Sequence, residues 1–511
     1  MVKSQGAPGN LSWDDSPAIV DPVNFLLATR DTGYRSSAQA IAEFVDNAFQ
    51  AHARLVSVQV VQGHGEWPVE ITVTDDGEGM DAAALGRALT FGGSTRFDDR
   101  QSLGRYGMGL PNGALSRCRR VEVYSWQGPQ VLWSRLDLDE IATFSHRVLH
   151  PIEVAADLPF SPVTPTGTVV RLLRCDRVEY KRPSWLVRRL QEEFGRIYRR
   201  FLAAGRQITV NGSAVLVIDP LFLASEAEVS GARLFGDELV YRLVGEHGPG
   251  EVRVRFAELP VERWHALPAD EKRNCGISNA SSISVLRADR EIDRGWFFMG
   301  SKRRENYDDW WRCEVRFDPT LDEFFGITHS KQAIVPSADL LDLLVPDLEP
   351  IGRALNGRIR QRFDLLRSSE PLSAAERQAS RADASLPPLP RREDIVPELL
   401  NDVVIAAERL SRTSPYQIVV SELPSTAAFE AVVRRGRLLL LLNSRHPLYR
   451  DLYGPLATSE SPRDQDIAKQ VALVVLAAAR AEVSERGRAD CPRASAFRQT
   501  WADVLATFMS S

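Results

Sequence analysis

Three short segments carrying acidic or amide side chains, the second and third of them glycine-bearing, follow one another within the first 113 residues, beside or within helix and strand patterns. Ser36 to His52 places apolar residues at Ile41, Phe44, Val45, Ala48 and Phe49, the spacing of a helix with one buried face. Two short β-branched runs follow, LVSVQVV and VEITVTDD, each stopped by Gly or Asp. A glycine-dense stretch from Gly77 to Gly113 comes next, and then VEVYSW, VLWSRLDL and TGTVVRLL read as further strands. Helices mixed with antiparallel-looking strands in this way predict an α/β sandwich, with helices on one face of a sheet.

The polar residues of these segments suggest chemistry. Glu43 and Asn47 lie four apart in the predicted helix, so both project from one face. A carboxylate beside an amide can take a proton from water and give an oxygen ligand to Mg²⁺. A lone E-x-x-x-N, however, far more often marks a solvated helix surface. In Asp75-Asp76-Gly77-Glu78-Gly79-Met80 two glycines after an acidic strand end let the backbone turn sharply and approach a flat ligand. The strand-end carboxylate can accept a hydrogen bond from an exocyclic amine; taken alone, the segment is also a plain acidic turn. The third segment, Gly104 to Gly113, is preceded by Phe91-Gly92-Gly93-Ser94-Thr95-Arg96 and exposes backbone N–H groups of the kind that bind phosphate. It has no G-x-x-x-x-G-K-[ST] pattern, and by itself could be only a loop.

In combination the segments E-x-x-D-N-A, D-x-G-x-G-M, G-x-x-G-x-G and the later Gly167-Thr168 resemble, in that order, the N box and glycine boxes of the GHKL ATPases. The resemblance covers residues 25–175. It implies a Bergerat-type sandwich that binds and hydrolyses Mg²⁺-bound ATP. Glu43 would be the general base, Asn47 the Mg²⁺ ligand and Asp75 the adenine contact. Asp46, Gly77, Gly79, Met80 and Thr168 would line the nucleotide pocket; Ser94, Thr95, Gly104, Arg105, Tyr106, Gly107, Met108 and Gly109 would shape a lid over the phosphates. No histidine precedes His52, which argues against a histidine kinase, and the C-terminal region lacks the E-x-x-x-H and C-x-x-C patterns of a metal nuclease. Phe324 to Gln332 (FFGITHSKQ) resembles the segment through which a lysine, here Lys331, reaches the γ-phosphate in MORC-type ATPases. The glycine box G-R-Y-G-M-G-L is also nearer MORC than MutL, so the similarity, over residues 25–340, is to prokaryotic MORC-like ATPases. ATP-dependent homodimerisation, and a DNA- or partner-related role in defence or restriction, are further implications. The alternative is a nucleotide-switched scaffold with little turnover.

The whole-chain pattern is α+β: an ATP-binding domain over 1–180, a transducer-like α/β domain over 181–367, a Ser/Ala/Pro-rich linker over 368–396 and a small α/β domain over 397–511. The second domain is expected to open with an arginine-rich amphipathic helix, Ser184 to Ala204, and a hairpin turning at Asn211-Gly212. Arginines between Arg188 and Arg206 mark either a DNA-facing patch or a solvated helix face. With 63 Lys and Arg against 68 Asp and Glu, the net charge of −5 supplies no global field for nucleic acid or membrane. Five scattered cysteines and an N-terminus without an apolar core fit a cytoplasmic protein with no disulfide scaffold. His446 reads as a structural loop histidine.

Overall fold

The computed structural model describes residues 21–31, 33–93, 108–143, 149–154, 158–225, 227, 229–278, 283–327, 333–386, 388–389, 394, 396, 400, 404–405, 414–485 and 491–509. The chain forms two compact units, Met1–Leu355 and Asn356–Ser511.

The first unit begins with helices α1 (Pro22–Asp31) and α2 (Ser37–Gln50), strands β1 (Leu55–Gln62) and β2 (Val69–Asp75), and helices α3 (Ala82–Ala88) and α4 (Gly109–Leu115). It continues with β3 (Arg120–Gln127), β4 (Val131–Asp137), α5 (Leu138–Thr143), β5 (Ile152–Val154) and β6 (Thr166–Cys175). Helices α6 (Pro183–Ile197) and α7 (Arg199–Ala203) and the hairpin β7 (Gln207–Val210) and β8 (Ser213–Ala214) complete the first layered module. Its eight strands run in the order β5-β4-β3-β6-β2-β1-β7-β8. Val56, Val58 and Val60 of β1 and Val69, Ile71 and Val73 of β2 alternate inward, and meet Ile41, Phe44 and Val45 of α2 and Leu186, Leu190 and Phe194 of α6 in one core. Each such side chain contributes about 1.5–3 kcal/mol on burial. The opposite face carries a smaller cluster of Tyr124, Trp126, Val131 and Val169.

The predicted sandwich is present, but the helix and hairpin expected to open the second domain instead close the first sheet. Strand β7 pairs parallel to β1. Asn211 anchors the turn, its Oδ1 accepting from Val60 N at 2.7 Å and its Nδ2 donating to Val60 O at 3.0 Å. Asn211 and Gly212 both take positive φ (47° and 79°), as a two-residue hairpin turn requires. The boundary drawn at 180 therefore falls within this module. The single helix expected from Ser184 to Ala204 is broken at Tyr198 (φ −103°, ψ 15°), whose ring packs edge-on against Phe49, Phe194 and Phe201.

A second sheet follows, made of β9 (Arg233–Gly245), β10 (Gly248–Glu258), β11 (Ile283–Arg287), β12 (Arg290–Gly295) and β13 (Trp311–Phe317), in the order β12-β11-β13-β10-β9. Short helices α8 (Val261–Trp264) and α9 (Ala269–Asn274) lie between β10 and β11, and α10 (Asp322–Phe325) follows β13. The segment ISVLRADREI is a hairpin, turning at Ala288 and Asp289 with φ of 46° and 70°.

Helix α11 runs from Ala338 to Ala382. The expected linker over 368–396 is thus helical for its first half, and a 3-10 turn covers Asp383–Ser385. Its Ala, Glu, Gln and Arg are good helix formers. Leu372 and Ala375 also enter the core of the second unit, and Glu376 accepts a 2.7 Å bond from Ile418 N. That unit holds a sheet in the order β14 (Tyr416–Ser421), β16 (Arg437–Asn443), β15 (Phe429–Arg434), with helices Pro462–Glu485 and Cys491–Met509. Central β16 is buried on both faces, as its leucine run predicts. His446 is structural: Nδ1 accepts from Leu448 N at 3.1 Å, which leaves Nε2 to donate to Ala502 O at 3.1 Å. Cys118, Cys175, Cys275 and Cys313 are free thiols. No helix among the described residues is long and apolar enough to cross a membrane.

Candidate functional site

Helix α2 starts where Ser36, in an extended conformation, accepts a hydrogen bond on its side chain from Gln39 N at 3.2 Å. Its apolar face enters the core, and Glu43 and Asn47 share another face as the four-residue spacing demands. Glu43 is only 3% exposed, which excludes the solvated-surface reading. The Tyr34 phenol hydrogen-bonds Glu43; burial first, and then the neighbouring Glu43 charge, raise the phenol's pKa, so Tyr34 stays a protonated donor. A backbone also approaches the carboxylate: a Cβ at Gly109, the first residue of α4, would stand 2.7 Å from Glu43 Oε2. Asn47 is half-buried on the same face, and its side chain makes no hydrogen bond to another described residue. An amide oxygen presented beside a carboxylate suits one position of a Mg²⁺ that keeps its remaining ligands from phosphates and water.

The second part of the site is formed by the ends of β2, β3 and β6. Asp75, the last residue of β2, is paired with Thr168 on β6. Its Oδ1 accepts from Gly77 N at 2.9 Å. Burial pushes the Asp75 carboxyl up to about 6, opposed by hydrogen bonds from the backbone of Gly77 and Thr168 and reinforced by Asp76. Asp76 instead fixes the start of β1, its Oδ1 accepting from Arg54 N and Leu55 N at 2.7 and 2.9 Å. Gly79 has φ 70°, and a Cβ there would stand 2.1 Å from Trp126 O, so no side chain fits this turn. Met80 N donates to Ser125 Oγ at 2.8 Å, and that hydroxyl lies 3.0 Å from Thr168 Oγ1 and 3.1 Å from Gly167 O. A half-buried acceptor at a strand end, flanked by a side-chain-free turn, is an arrangement that can read the amine edge of a planar base.

The structure therefore brings together Asp75, Gly77, Gly79, Met80 and Thr168 on one side, and Glu43, Asn47 and Gly109 on the other. Met108 precedes α4 and accepts from Asn112 N at 3.0 Å through its carbonyl. Ser94, Thr95, Gly104, Arg105, Tyr106, Gly107 and Lys331 lie outside the described residues. Asp46 is fully buried, and its carboxylate is held by Tyr198 Oη at 2.8 Å and Arg290 Nε at 2.9 Å. Sequence reasoning missed Tyr34, Ser125, Tyr198 and Arg290. Ser125 carried a signal, being the polar residue on the inward face that Val121 and Val123 begin.

The arginine stretch is also corrected. Arg199 is 4% exposed, donating to Glu291 at 2.6 Å and Glu314 at 2.7 Å; Arg196 pairs with Glu193 and Glu291, and Arg200 reaches Glu314. These side chains join the first module to the second sheet, and are neither a solvated face nor a nucleic-acid surface. Arg188 alone of this set is largely exposed, at 77%, and pairs with Glu192. A group with metal-ligand spacing, Glu246, His247 and Glu323, lies exposed on the β9–β10 turn and α10 and shares no residue with the site.

Residues 34–167 match the family model described as histidine kinase-, DNA gyrase B-, and HSP90-like ATPase. ATPase morc-1 from Caenorhabditis elegans is 38% identical over 99 residues, covering 19% of this chain and 11% of that protein. The family-model match spans the strand-end acceptor Asp75, the glycine turns and the buried Glu43: residues 34–167 form an ATPase domain of the GHKL superfamily, and the chain is similar over 99 residues to a MORC ATPase.

Proposed function

We propose that the protein binds Mg²⁺-bound ATP in this domain and hydrolyses it to ADP and phosphate. The observation that carries the reading is Glu43: a carboxylate 3% exposed, fixed by the Tyr34 phenol and backed by the glycine side of α4, on one helix face with Asn47. Asp75 accepts from the adenine amine, with Thr168 behind it and Gly77, Gly79 and Met80 forming the turn beneath the base. Asn47 would hold Mg²⁺, which when bound neutralises phosphate charge. Glu43 takes a proton from the attacking water; the water oxygen bonds to the γ-phosphorus as the bond to the β–γ bridging oxygen breaks, and that electron pair leaves with ADP. Ser94, Thr95 and residues 104–109 cover the phosphates. Lys331 stabilises the charge on the transferred phosphoryl group.

Because Lys331 follows the second sheet, ATP but not ADP favours the arrangement in which it reaches the terminal phosphate, and this is coupled to dimerisation of the N-terminal domains. The biological role, read from the resemblance alone, concerns DNA or a partner protein in defence or restriction. Calorimetry and steady-state phosphate release on the full chain with Mg²⁺ and ATP test the reading. Binding accompanied by turnover is expected; absence of nucleotide binding would overturn it, and binding without turnover would favour a nucleotide-switched scaffold. Sedimentation velocity should show ATP-specific dimers that Lys331→Ala weakens, and an oligomeric state indifferent to nucleotide would overturn the coupling.

A further inference from the structure

Asp46 lies between Glu43 and Asn47 in sequence, yet its surroundings are unlike theirs. It is wholly buried, and a carboxylate withdrawn from water is tolerated only with close donors. Two are supplied from outside its helix. Tyr198 Oη lies 2.8 Å from Asp46 Oδ1 and 2.7 Å from Ala42 O, at the break between α6 and α7. Arg290, 4% exposed, places Nε 2.9 Å from the carboxylate. Burial lowers the guanidinium pKa, but Asp46, Tyr198 and Glu43 together more than reverse this, so Arg290 remains a cation whose field also reaches Glu43.

Arg290 is the first residue of β12, directly after the turn in which Ala288 and Asp289 hold left-handed backbone angles. Such conformations in non-glycine residues persist where surrounding structure enforces them. The same hairpin holds the described residues on either side of 328–332. Arg287 forks onto Asp322 at 2.6 and 2.8 Å, and Asp293 Oδ2 accepts from Ile334 N at 3.0 Å. One β-hairpin of the second sheet therefore grips the helix that bears the general base, and also both described flanks of the segment that contains Lys331.

We infer that Arg290 is a positioning residue for hydrolysis: through Asp46 it sets the pose of α2, and hence of Glu43, so that turnover depends on the second sheet being docked. Asp46 is then the receiving end of this joint and not a nucleotide contact. The inference rests on the ATPase reading above. A joint of this kind affects the chemical step more than ground-state binding, because small misplacements of a base cost rate.

The test uses the full chain with Arg290→Gln, Arg290→Lys, Asp46→Asn, Tyr198→Phe and the double variant Asp46→Asn/Arg290→Gln. Thermal melts, calorimetric affinity for Mg²⁺-bound ATP, kcat and KM are measured for each. Arg290→Gln should lower kcat ~10-fold or more with little change in ATP affinity, and Arg290→Lys should restore part of it. The double variant should cost no more than its worse single variant, because both break one joint. Should Arg290→Gln fail to fold, Tyr198→Phe and Arg290→Lys give the same kcat-specific loss in milder form. A kcat per folded molecule unchanged in all of these, or losses that multiply in the double variant, would overturn the inference. Wild type and Glu43→Gln separate the two failures: no phosphate release by the wild type sinks the ATPase reading itself, whereas release that is lost in Glu43→Gln but has a normal kcat in Arg290→Gln sinks only the positioning role.

Discussion

Helix α2 and the α6–α7 pair are both amphipathic, both pack on the first sheet, and both carry charged side chains off their apolar stripes. They differ in where those charges find partners. Glu43 is met by Tyr34 from nine positions earlier and by the glycine start of α4. Arg199 is met by Glu291 and Glu314, 92 and 115 positions further along the chain. The first environment is built from short segments that the sequence writes in order. The second is built by a separate sheet folding back, and turns a charge run that resembles a solvated surface into the interior of a joint.

The largest effect is expected at Arg199. Burial opposes ionisation of Glu314, but Arg199, Arg255 and Arg200 outweigh it and hold its carboxyl at about 2. Arg199→Met leaves Glu291 and Glu314 buried with one cation fewer, and should cost about 3–5 kcal/mol in denaturant unfolding. In the wild type, Glu314's pKa lies below its ordinary 4.5, so its contribution to stability is complete above that pH and is lost as pH falls toward about 2. The variant should lose much of this acid sensitivity. Equal stability of Arg199→Met and wild type would mean that the ionic joint is dispensable.

A second change acts in the nucleotide site with opposite signs on fold and function. Asp75 has its pKa raised from 3.8 to about 6, so it favours the fold only when protonated, and that contribution is lost as pH rises through 6. At pH 7.5 Asp75→Asn should therefore raise the melting temperature of the nucleotide-free protein. It should also weaken ATP binding by about 1–3 kcal/mol, because an amide mispairs with the adenine amine. Calorimetry showing unchanged ATP affinity would move the base-reading role elsewhere.

The smallest effect sharpens the contrast within one helix. Arg188 is exposed and, among the described residues, forms only an i,i+4 pair with Glu192. Arg188→Ala should change stability by less than about 0.5 kcal/mol. A loss rivalling that of Arg199→Met would show that exposure does not separate the two kinds of arginine.

The first sheet was legible because its strands alternate cleanly and its turns use Gly, Asp and Asn-Gly. The candidate site was legible as far as its residues sit in ordered boxes: Glu43, Asn47, Asp75, Gly79 and Thr168. What escaped depends on long-range pairing. Asn211 pins the hairpin to Val60, 151 positions away, which no local pattern reveals. Ala288-Asp289 turns the chain without the usual glycine, so no local pattern marks the hairpin between β11 and β12. The helix over 368–382 was hidden because a Ser-, Glu- and Arg-rich stretch looks solvated until Leu372 and Ala375 are seen in a core. Arg290 carried no signal at all, since its importance lies in reaching Asp46, 244 positions earlier.

The central claim, that a buried carboxylate on α2 drives hydrolysis in this domain, is tested most directly by measuring ATP binding and phosphate release side by side on wild type and Glu43→Gln. The substitution keeps size and removes the base. The predicted result is ATP affinity within about threefold of wild type and phosphate release slower by ~10²–10⁴. Undiminished release by Glu43→Gln would contradict it.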